Sequence, residues 1–249
     1  MLALTRPVPT SINACELTHL ARDPIDLARA REQHDAYERA LRELGCRIER
    51  IEPRDDLPDS VFVEDLAVIV DEVAVITRPG AESRRAEVAG VAAALGRYRP
   101  LVTIEAPGTL DGGDVLRVGR TVFVGSTART NEAGIAQLRA ALPLYDVRAI
   151  RVTGALHLKT AVTNVGDDTL LVNPEWVSPA DLAGFDILHV DPGEPFAANT
   201  LLVGGTALRG AQFPKTNARL GVPMKVVDLS ELAKAEGALT CCSLLVAGS

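Results

Sequence analysis

One pattern recurs along this chain of 249 residues: a polar cluster, an apolar segment, a tight turn and a second apolar segment. The polar clusters begin at Phe62, Asp111, His157, Ala197 and Leu239. They lie about 40 to 50 residues apart, a spacing typical of repeated structural units. The chain is therefore expected to consist of five similar units.

Four of these units contain both apolar segments, and each pair flanks a turn of polar or glycine residues, as the strands of a β-hairpin do. The predicted strand pairs are 66–70 with 73–77, 115–118 with 121–124, 161–165 with 169–172, and 200–203 with 206–209. The fifth unit has only the apolar run 244–246, so the N-terminal segment 2–5 is expected to pair with it. That pairing would close the units into a ring around one axis.

Two segments show the three- and four-residue spacing of an amphipathic helix. The first follows Asp23-Pro24-Ile25-Asp26 and ends at Gly45. The second covers residues 132–142 and follows Asn131, a residue type that favours the position before a helix. Hairpins combined with helices indicate an α/β fold of strand–hairpin–helix repeats. Because each polar cluster has the same place in its unit, all clusters would face one central channel.

The composition restricts the class of protein. Hydrophobic residues make up 47% of the chain and charged residues 24%, which is typical of a globular protein, and residues 1–249 are expected to form a single domain. The net charge of −7 disfavours nucleic acid and anionic membranes as partners and favours a cationic substrate. No apolar run approaches membrane-spanning length and the N-terminal residues lack the features of a secretion signal, so a cytoplasmic protein with reduced cysteines is expected.

Three residues of the polar clusters could together carry out nucleophilic catalysis. A cysteine thiolate is a strong nucleophile, a histidine can transfer protons, and a carboxylate can orient that histidine. Cys241, His157 and Asp111 would supply these three roles at the central channel. Each of them alone is equally well explained as a structural residue, but their equivalent places in separate repeats favour a shared site.

Charged residues indicate what such a site would bind. Asp59, Glu64 and Asp65 lie within seven residues of one another, and such carboxylates repel unless solvent or a cation compensates them. A guanidinium group would fit paired carboxylates and would favour a nearby thiolate. Arginines in segments 77–85 and 126–131 follow two hairpins in matching places, where they could hold an amino-acid carboxylate. An arginine-like zwitterion is the expected substrate.

Five blocks of the sequence together resemble the dimethylarginine dimethylaminohydrolase family of the pentein, or guanidino-group modifying, superfamily. They are Asp-Ser-Val-Phe-Val-Glu-Asp at 59–65, Thr-Arg-Pro-Gly-Ala at 77–81, Leu-Asp-Gly-Gly-Asp-Val-Leu at 110–116, Leu-His-Leu-Lys at 156–159 and Leu-Thr-Cys-Cys-Ser at 239–243. The blocks span nearly the whole chain in this order. The resemblance implies a five-bladed α/β propeller around a central channel, and hydrolysis of dimethylarginine and monomethylarginine to citrulline and the methylated amine.

The same resemblance implies roles for individual residues. Cys241 would attack the guanidinium carbon and form a covalent thiouronium intermediate. His157 would protonate the leaving amine and then activate water, and Asp111 would lie near the histidine. The implied substrate contacts are Leu20, Asp59, Glu64, Asp65, Arg84, Arg129 and the backbone of Ala235.

Alternatives to this reading stay open. Another pentein enzyme, such as an arginine or agmatine deiminase or an amidinotransferase, would use the same chemistry on another guanidine. A non-catalytic propeller would bind a partner, as translation initiation factor 6 does. Thiolate, imidazole and carboxylate are also zinc ligands, but no cofactor is expected to be required and zinc is expected only as an inhibitor at Cys241. Monomer and homodimer are both compatible with the sequence.

Overall fold

Five three-stranded sheets form the framework of the molecule. In the computed structural model, which describes residues 1–248, these sheets comprise fifteen short strands. In chain order the strands are β1 (Leu2–Thr5), β2 (Arg47–Arg50), β3 (Ala67–Ile69), β4 (Ala74–Ile76), β5 (Leu101–Thr103), β6 (Val115–Val118), β7 (Thr121–Ser126), β8 (Asp146–Arg151), β9 (Val162–Gly166), β10 (Thr169–Val172), β11 (Asp186–His189), β12 (Leu201–Val203), β13 (Thr206–Gly210), β14 (Met224–Val227) and β15 (Leu244–Val246). The five units predicted from the sequence repeat are confirmed.

Every sheet has the same internal pairing. The strand orders are β15-β1-β2, β3-β4-β5, β6-β7-β8, β9-β10-β11 and β12-β13-β14. In each sheet the first two strands are antiparallel, and the third strand runs parallel to the middle one. A parallel neighbour cannot be reached through a tight turn, so a longer crossover must connect the middle and third strands.

Helices occupy several of these crossovers. The α-helical segments are α1 (Leu27–Glu43), α2 (Val88–Leu95), α3 (Glu132–Ala141), α4 (Leu158–Ala161), α5 (Pro214–Asn217) and α6 (Ser230–Ala233). The predicted Asn131 cap is present, because its side chain accepts the Gly134 N–H. The Asp26 side chain also caps α1 by accepting the Ala28 and Arg29 N–H groups. Within residues 1–248, no helix combines the length and the apolar character that crossing a lipid bilayer requires.

The third strand of each sheet escaped sequence-based prediction. β2 has the sequence Arg-Ile-Glu-Arg and β8 the sequence Asp-Val-Arg-Ala-Ile-Arg, so charged residues interrupt both. Leu101 and Val102 of β5 are exposed. Strands that are largely exposed to solvent need no apolar run, and hydrophobic pattern alone does not reveal them.

The pairing of β1 with β15 joins the two ends of the chain. Leu2 lies opposite Val246 and Leu4 opposite Leu244, and all four side chains are buried in one apolar cluster. This antiparallel pairing completes the fifth unit with the N-terminal strand, as the sequence predicted. The C-terminal segment is thereby part of the core.

Four of the five polar clusters form a short helical turn just before the first strand of a sheet. The turns are Val63–Leu66, Gly112–Asp114, Leu158–Ala161 and Thr240–Cys242. They contact one another where the sheets converge. On one side of the turns, residues from β3, β6, β9, β12 and β15 line a cavity of about 380 Å³, which we call the central channel.

The two adjacent cysteines point in different directions because they lie in a helical turn. A β-strand would also direct successive side chains to opposite faces, but Cys241 and Cys242 lie in the 3-10 turn Thr240–Cys242. Cys242 is fully buried in the apolar cluster that contains Tyr37 and Leu239, whereas Cys241 is partly exposed. The turn of a helix, not the pleat of a strand, separates the two thiols.

Replacing Cys242 with serine is expected to lower the free energy of unfolding by about 1–3 kcal/mol, because a hydroxyl group would enter an apolar environment. Cys241→Ser serves as the control, since its side chain borders a cavity, and a change within about 0.5 kcal/mol is expected. Urea denaturation of both variants measures the difference. Equal stability of the Cys242→Ser and wild-type proteins would contradict this view of the core.

Candidate active site

A small cavity of about 30 Å³ opens where the helical turns meet. The side chains and backbone that line it are Glu16, Asp59, Phe62, Asp65, Arg84, Arg129, Leu156, His157, Ala235, Glu236, Gly237 and Cys241. Seven of the ten residues predicted from sequence are in this set. Asp111, Glu64 and Leu20 are not, and their positions are described separately below.

His157 lies at this cavity with its imidazole ring held between carboxylates. Nε2 is 3.0 Å from Asp111 Oδ2, and Nδ1 is 3.8 Å from Asp65 Oδ1. Asp111 is fully buried behind the histidine, and its Oδ1 accepts the Gly80 N–H at 2.9 Å. Asp111 therefore contacts the histidine and orients it without lining the cavity.

The protonation state of His157 follows from these neighbours. Burial alone would lower the pKa of His157, but the nearby carboxylates of Asp65, Asp111 and Asp114 outweigh it and raise the pKa to about 9. The ring is therefore an imidazolium at neutral pH, with a proton available for a leaving group.

The Cys241 thiol has the opposite environment. Burial, followed by the negative charges of Glu64 and Asp65, raises the pKa of Cys241 to about 12. The thiol is therefore protonated at neutral pH when the cavity contains no cation. A cationic group bound beside the carboxylates would lower this pKa and favour the thiolate.

Asp65 is compensated on two sides. Its Oδ2 accepts a hydrogen bond from the Arg84 guanidinium, and its Oδ1 accepts the Gly113 N–H at 3.0 Å. Burial would raise the pKa of Asp65, but His157 and Arg84 outweigh it and lower the pKa to about 2. Asp65 thus remains a carboxylate at the floor of the cavity.

Arg84 is occupied mainly by the protein itself. Its guanidinium binds Asp65, both carboxylate oxygens of Glu87 and the carbonyl oxygen of Phe62, and the side chain is almost fully buried. Arg84 is therefore committed to acceptors of the protein, and its contact with a substrate stays a prediction. Buried carboxylates are stable only when a cation compensates them, and Arg84 has this role for Asp65 and Glu87.

Arg129 is more accessible. It is half-buried, and within residues 1–248 its guanidinium makes one hydrogen bond, from Nη2 to Thr18 Oγ1 at 3.1 Å. Asp59 lies on the same cavity and accepts the Glu16 N–H at 3.1 Å, while burial raises the pKa of Asp59. The cavity therefore presents an acidic and a basic group.

Glu64 faces away from this cavity. Its carboxylate binds the Lys159 ammonium and accepts the Thr240 hydroxyl at 2.7 Å, and it lines the central channel. The Glu64–Lys159 ion pair lies at the channel side of the turns. Sequence adjacency placed Glu64 with Asp65, but successive positions of a helical turn point in different directions.

Leu20 belongs to a loop whose backbone binds Glu236, a residue that lines the small cavity. The Leu20 side chain is 41% exposed and lines a separate cavity of about 250 Å³. Glu236 accepts the N–H groups of Thr18, His19 and Leu20, and it adopts a left-handed backbone with φ of 58°. Sequence reasoning missed Glu236, because neither its backbone conformation nor its distant partners are visible in the pattern.

Asp65, Asp111 and His157 also form the candidate metal site among the described residues, with one ligand atom from each within 4.8 Å of the others. Both carboxylates already bind protein donors, Arg84 and Gly113 for Asp65 and Gly80 for Asp111. Cys241 does not belong to this group. The two carboxylates are thus better explained as groups that orient and charge His157 than as ligands of a metal ion.

Five α/β repeats around an axis, with a cysteine and a carboxylate-bound histidine at their centre, define the guanidino-group modifying class of α/β propeller. A family model described as "N,N dimethylarginine dimethylhydrolase, eukaryotic" matches residues 11–181. N(G),N(G)-dimethylarginine dimethylaminohydrolase of Streptomyces coelicolor is 44% identical over 235 residues, 92% of this chain and 90% of the relative. That of Pseudomonas aeruginosa is 37% identical over 245 residues, 96% of both chains. The chain belongs to the dimethylarginine dimethylaminohydrolase family.

Solved structures agree with this assignment. A cysteine-to-serine mutant of the Pseudomonas aeruginosa enzyme in complex with citrulline superimposes with a TM-score of 0.93 at 36% identity, covering 98% of both chains. A dimethylarginine dimethylaminohydrolase adduct with S-methyl-L-thiocitrulline gives a TM-score of 0.91. The N-terminal domain of the arginine dihydrolase ArgZ shares the fold at 19% identity, with a TM-score of 0.86.

Replacing Asp111 with asparagine is expected to lower the pKa of His157 by about one unit or more, because a carboxylate that favours the imidazolium is removed. The wild-type ring should remain protonated at pH 8 and titrate near pH 9. A ¹⁵N NMR titration of the imidazole in both proteins measures this shift. Asp181→Asn, which changes an exposed carboxylate, is the control, and an unchanged His157 pKa in Asp111→Asn would contradict the assignment.

Proposed function

We propose that this protein hydrolyses N-omega-methylated arginines to citrulline and dimethylamine or monomethylamine. The observation that carries the proposal is the position of Cys241 in a small acidic cavity beside the His157–Asp111 pair. Relatives that share most of the chain are named for this reaction, and one related structure holds citrulline. No cofactor is needed for the steps that these residues would perform.

The cavity suits a zwitterion with a guanidinium at one end. The carboxylate of Asp65 and the field of Glu64 would favour the cationic guanidinium beside Cys241. Arg129 would bind the substrate carboxylate, since its N–H groups are largely uncommitted to the protein. Asp59 and the backbone carbonyl of Ala235 would receive the α-ammonium group.

The first half-reaction would form the covalent intermediate. Bound guanidinium lowers the pKa of the Cys241 thiol, which releases its proton to solvent and regains one when citrulline leaves. The thiolate attacks the guanidinium carbon to give a neutral tetrahedral adduct. The His157 imidazolium donates its proton to the methylated nitrogen as the carbon–nitrogen bond breaks. The amine leaves, His157 becomes neutral, and a thiouronium cation remains on Cys241.

The second half-reaction would release citrulline. Neutral His157 takes a proton from water, and the hydroxide formed adds to the thiouronium carbon. Breaking of the carbon–sulfur bond returns the Cys241 thiolate, and the carbinol loses its proton to leave the ureido group of citrulline. The released proton converts the free amine to its ammonium form, so atoms and charges balance.

Substrate comparison tests this function against its rivals. We expect turnover of dimethylarginine and monomethylarginine to exceed that of arginine and agmatine, with citrulline as product. Cys241→Ser should reduce kcat to the background rate, and mass spectrometry of protein trapped with a substrate analogue should place the added mass on Cys241. A preference for arginine or agmatine would instead indicate a deiminase. Full function of Cys241→Ala would indicate a non-catalytic binding protein.

We propose that zinc inhibits the protein by binding the Cys241 thiolate and that activity does not require zinc. Dialysis against a chelator is expected to leave kcat unchanged, and added zinc is expected to slow both turnover and alkylation of Cys241 by iodoacetamide. Metal analysis of the purified protein accompanies these assays. Loss of activity under chelation, with recovery on adding zinc, would contradict this prediction.

A further inference from the structure

We propose that Asn199 is a positioning residue that holds the turn carrying Cys241 and the turn carrying His157 in a defined relation. The inference rests on the proposed function, in which these two residues act on one substrate carbon and its leaving group. Asn199 does not line the cavity that Cys241 borders. Asn199 would act through its hydrogen bonds to Lys159 and Thr240, which belong to the two turns that border this cavity.

One side-chain amide joins the two turns. Asn199 Nδ2 donates to the Lys159 carbonyl oxygen at 3.0 Å and to Thr240 Oγ1 at 3.0 Å, and Oδ1 accepts the Thr240 N–H at 3.2 Å. Lys159 follows His157 by two residues, and Thr240 immediately precedes Cys241. The amide therefore uses both of its N–H donors and its oxygen to tie the nucleophile turn to the histidine turn.

The partners of Asn199 form a closed network. The Thr240 hydroxyl accepts from Asn199 and donates to Glu64, while the Lys159 ammonium binds the same Glu64 carboxylate. These four residues come from four different repeats. Because buried polar groups that satisfy one another are costly to displace, the network resists movement of either turn.

The backbone of Asn199 is bound by a buried arginine. Asn199 is 3% exposed, and its carbonyl oxygen accepts a hydrogen bond from Nη1 of Arg209, a fully buried residue of β13. Arg209 Nη1 also binds the Thr200 hydroxyl, and its Nε donates to Asn217 Oδ1 at 2.9 Å. Arg209 therefore fixes the position of Asn199 relative to β13, and Asn199 in turn fixes the positions of the two turns.

The chemistry of the network requires an amide at position 199. Aspartate would keep an acceptor for the Thr240 N–H, but it would place lone pairs against the Lys159 carbonyl oxygen and add a charge near Glu64. Alanine would remove all three hydrogen bonds and leave the Thr240 N–H unsatisfied. Both changes would free the Cys241 turn relative to His157.

Steady-state kinetics of Asn199→Ala and Asn199→Asp test the proposal. We expect kcat on dimethylarginine to fall about 10- to 100-fold with KM within about threefold, because displacing a catalytic group by about 1 Å costs roughly this much. Asn173→Ala is the matched control. Asn173 is 2% exposed, and its side-chain amide makes two hydrogen bonds, with Pro195 and Glu175, neither of which lies in either turn. Its backbone N–H donates to Ala161 of the histidine turn at 2.8 Å, but the alanine substitution keeps that bond. It should lose comparable thermal stability but keep kcat.

Alkylation by iodoacetamide supplies a readout that needs no substrate. Freeing the turn should relieve the burial of Cys241, so its alkylation at pH 8 should be several-fold faster in Asn199→Ala while Cys15, Cys46 and Cys242 stay unmodified. A rise in alkylation together with a fall in kcat distinguishes lost positioning from general unfolding, in which all four cysteines would react.

A kcat within twofold of wild type in either folded Asn199 variant overturns the proposal. If Asn199→Ala does not fold, the isosteric Asn199→Asp variant decides by the same criterion. If the wild-type protein does not hydrolyse dimethylarginine, the proposed function fails, and alkylation alone decides the positioning role. Unchanged alkylation of Cys241 in Asn199→Ala would then exclude that role.

Discussion

Pairing between the first and last strands brings Cys241, the proposed nucleophile, to the point where the helical turns meet. Cys241 lies a few residues before the end of the chain, where termini are usually poorly ordered. Because β15 pairs with β1 and buries Leu244 and Val246, the preceding turn packs among the turns of other repeats. Cys241 thereby becomes a neighbour of His157 and Asp65, residues far away along the chain.

Charge compensation explains much of the arrangement around that centre. Buried carboxylates are stable only when cations or N–H groups bind them, and here Arg84 compensates Asp65, His157 binds Asp111, and Lys159 pairs with Glu64. Burial, followed by the negative charges of Glu64 and Asp65, raises the pKa of the Cys241 thiol, and the carboxylates around His157 outweigh its burial and keep it protonated. A bound cationic guanidinium would offset these negative charges and lower the pKa of the Cys241 thiol. The charge of the proposed substrate would thereby favour the thiolate.

Prediction from the sequence succeeded for elements that a local sequence pattern determines. The hairpins, the Asn131 cap and the pairing of the two chain ends are all present. It missed the exposed third strands, which carry charged residues, and it did not separate Glu64, which lines the central channel, from Cys241 and His157, which line the smaller cavity. Asn199 stood in a recognised cluster, but its contacts with Lys159 and Thr240 depend on three repeats meeting at one point.

The sequence by itself determined the number of repeats, the family and the candidate reactive groups, because these follow from spacing and from residue type. The tertiary structure decided which groups face one another. It turned Glu64 toward Lys159, committed Arg84 to the buried acids and left Arg129 accessible. These choices depend on burial and on contacts between distant segments, and no local sequence pattern encodes the direction in which a side chain leaves a turn.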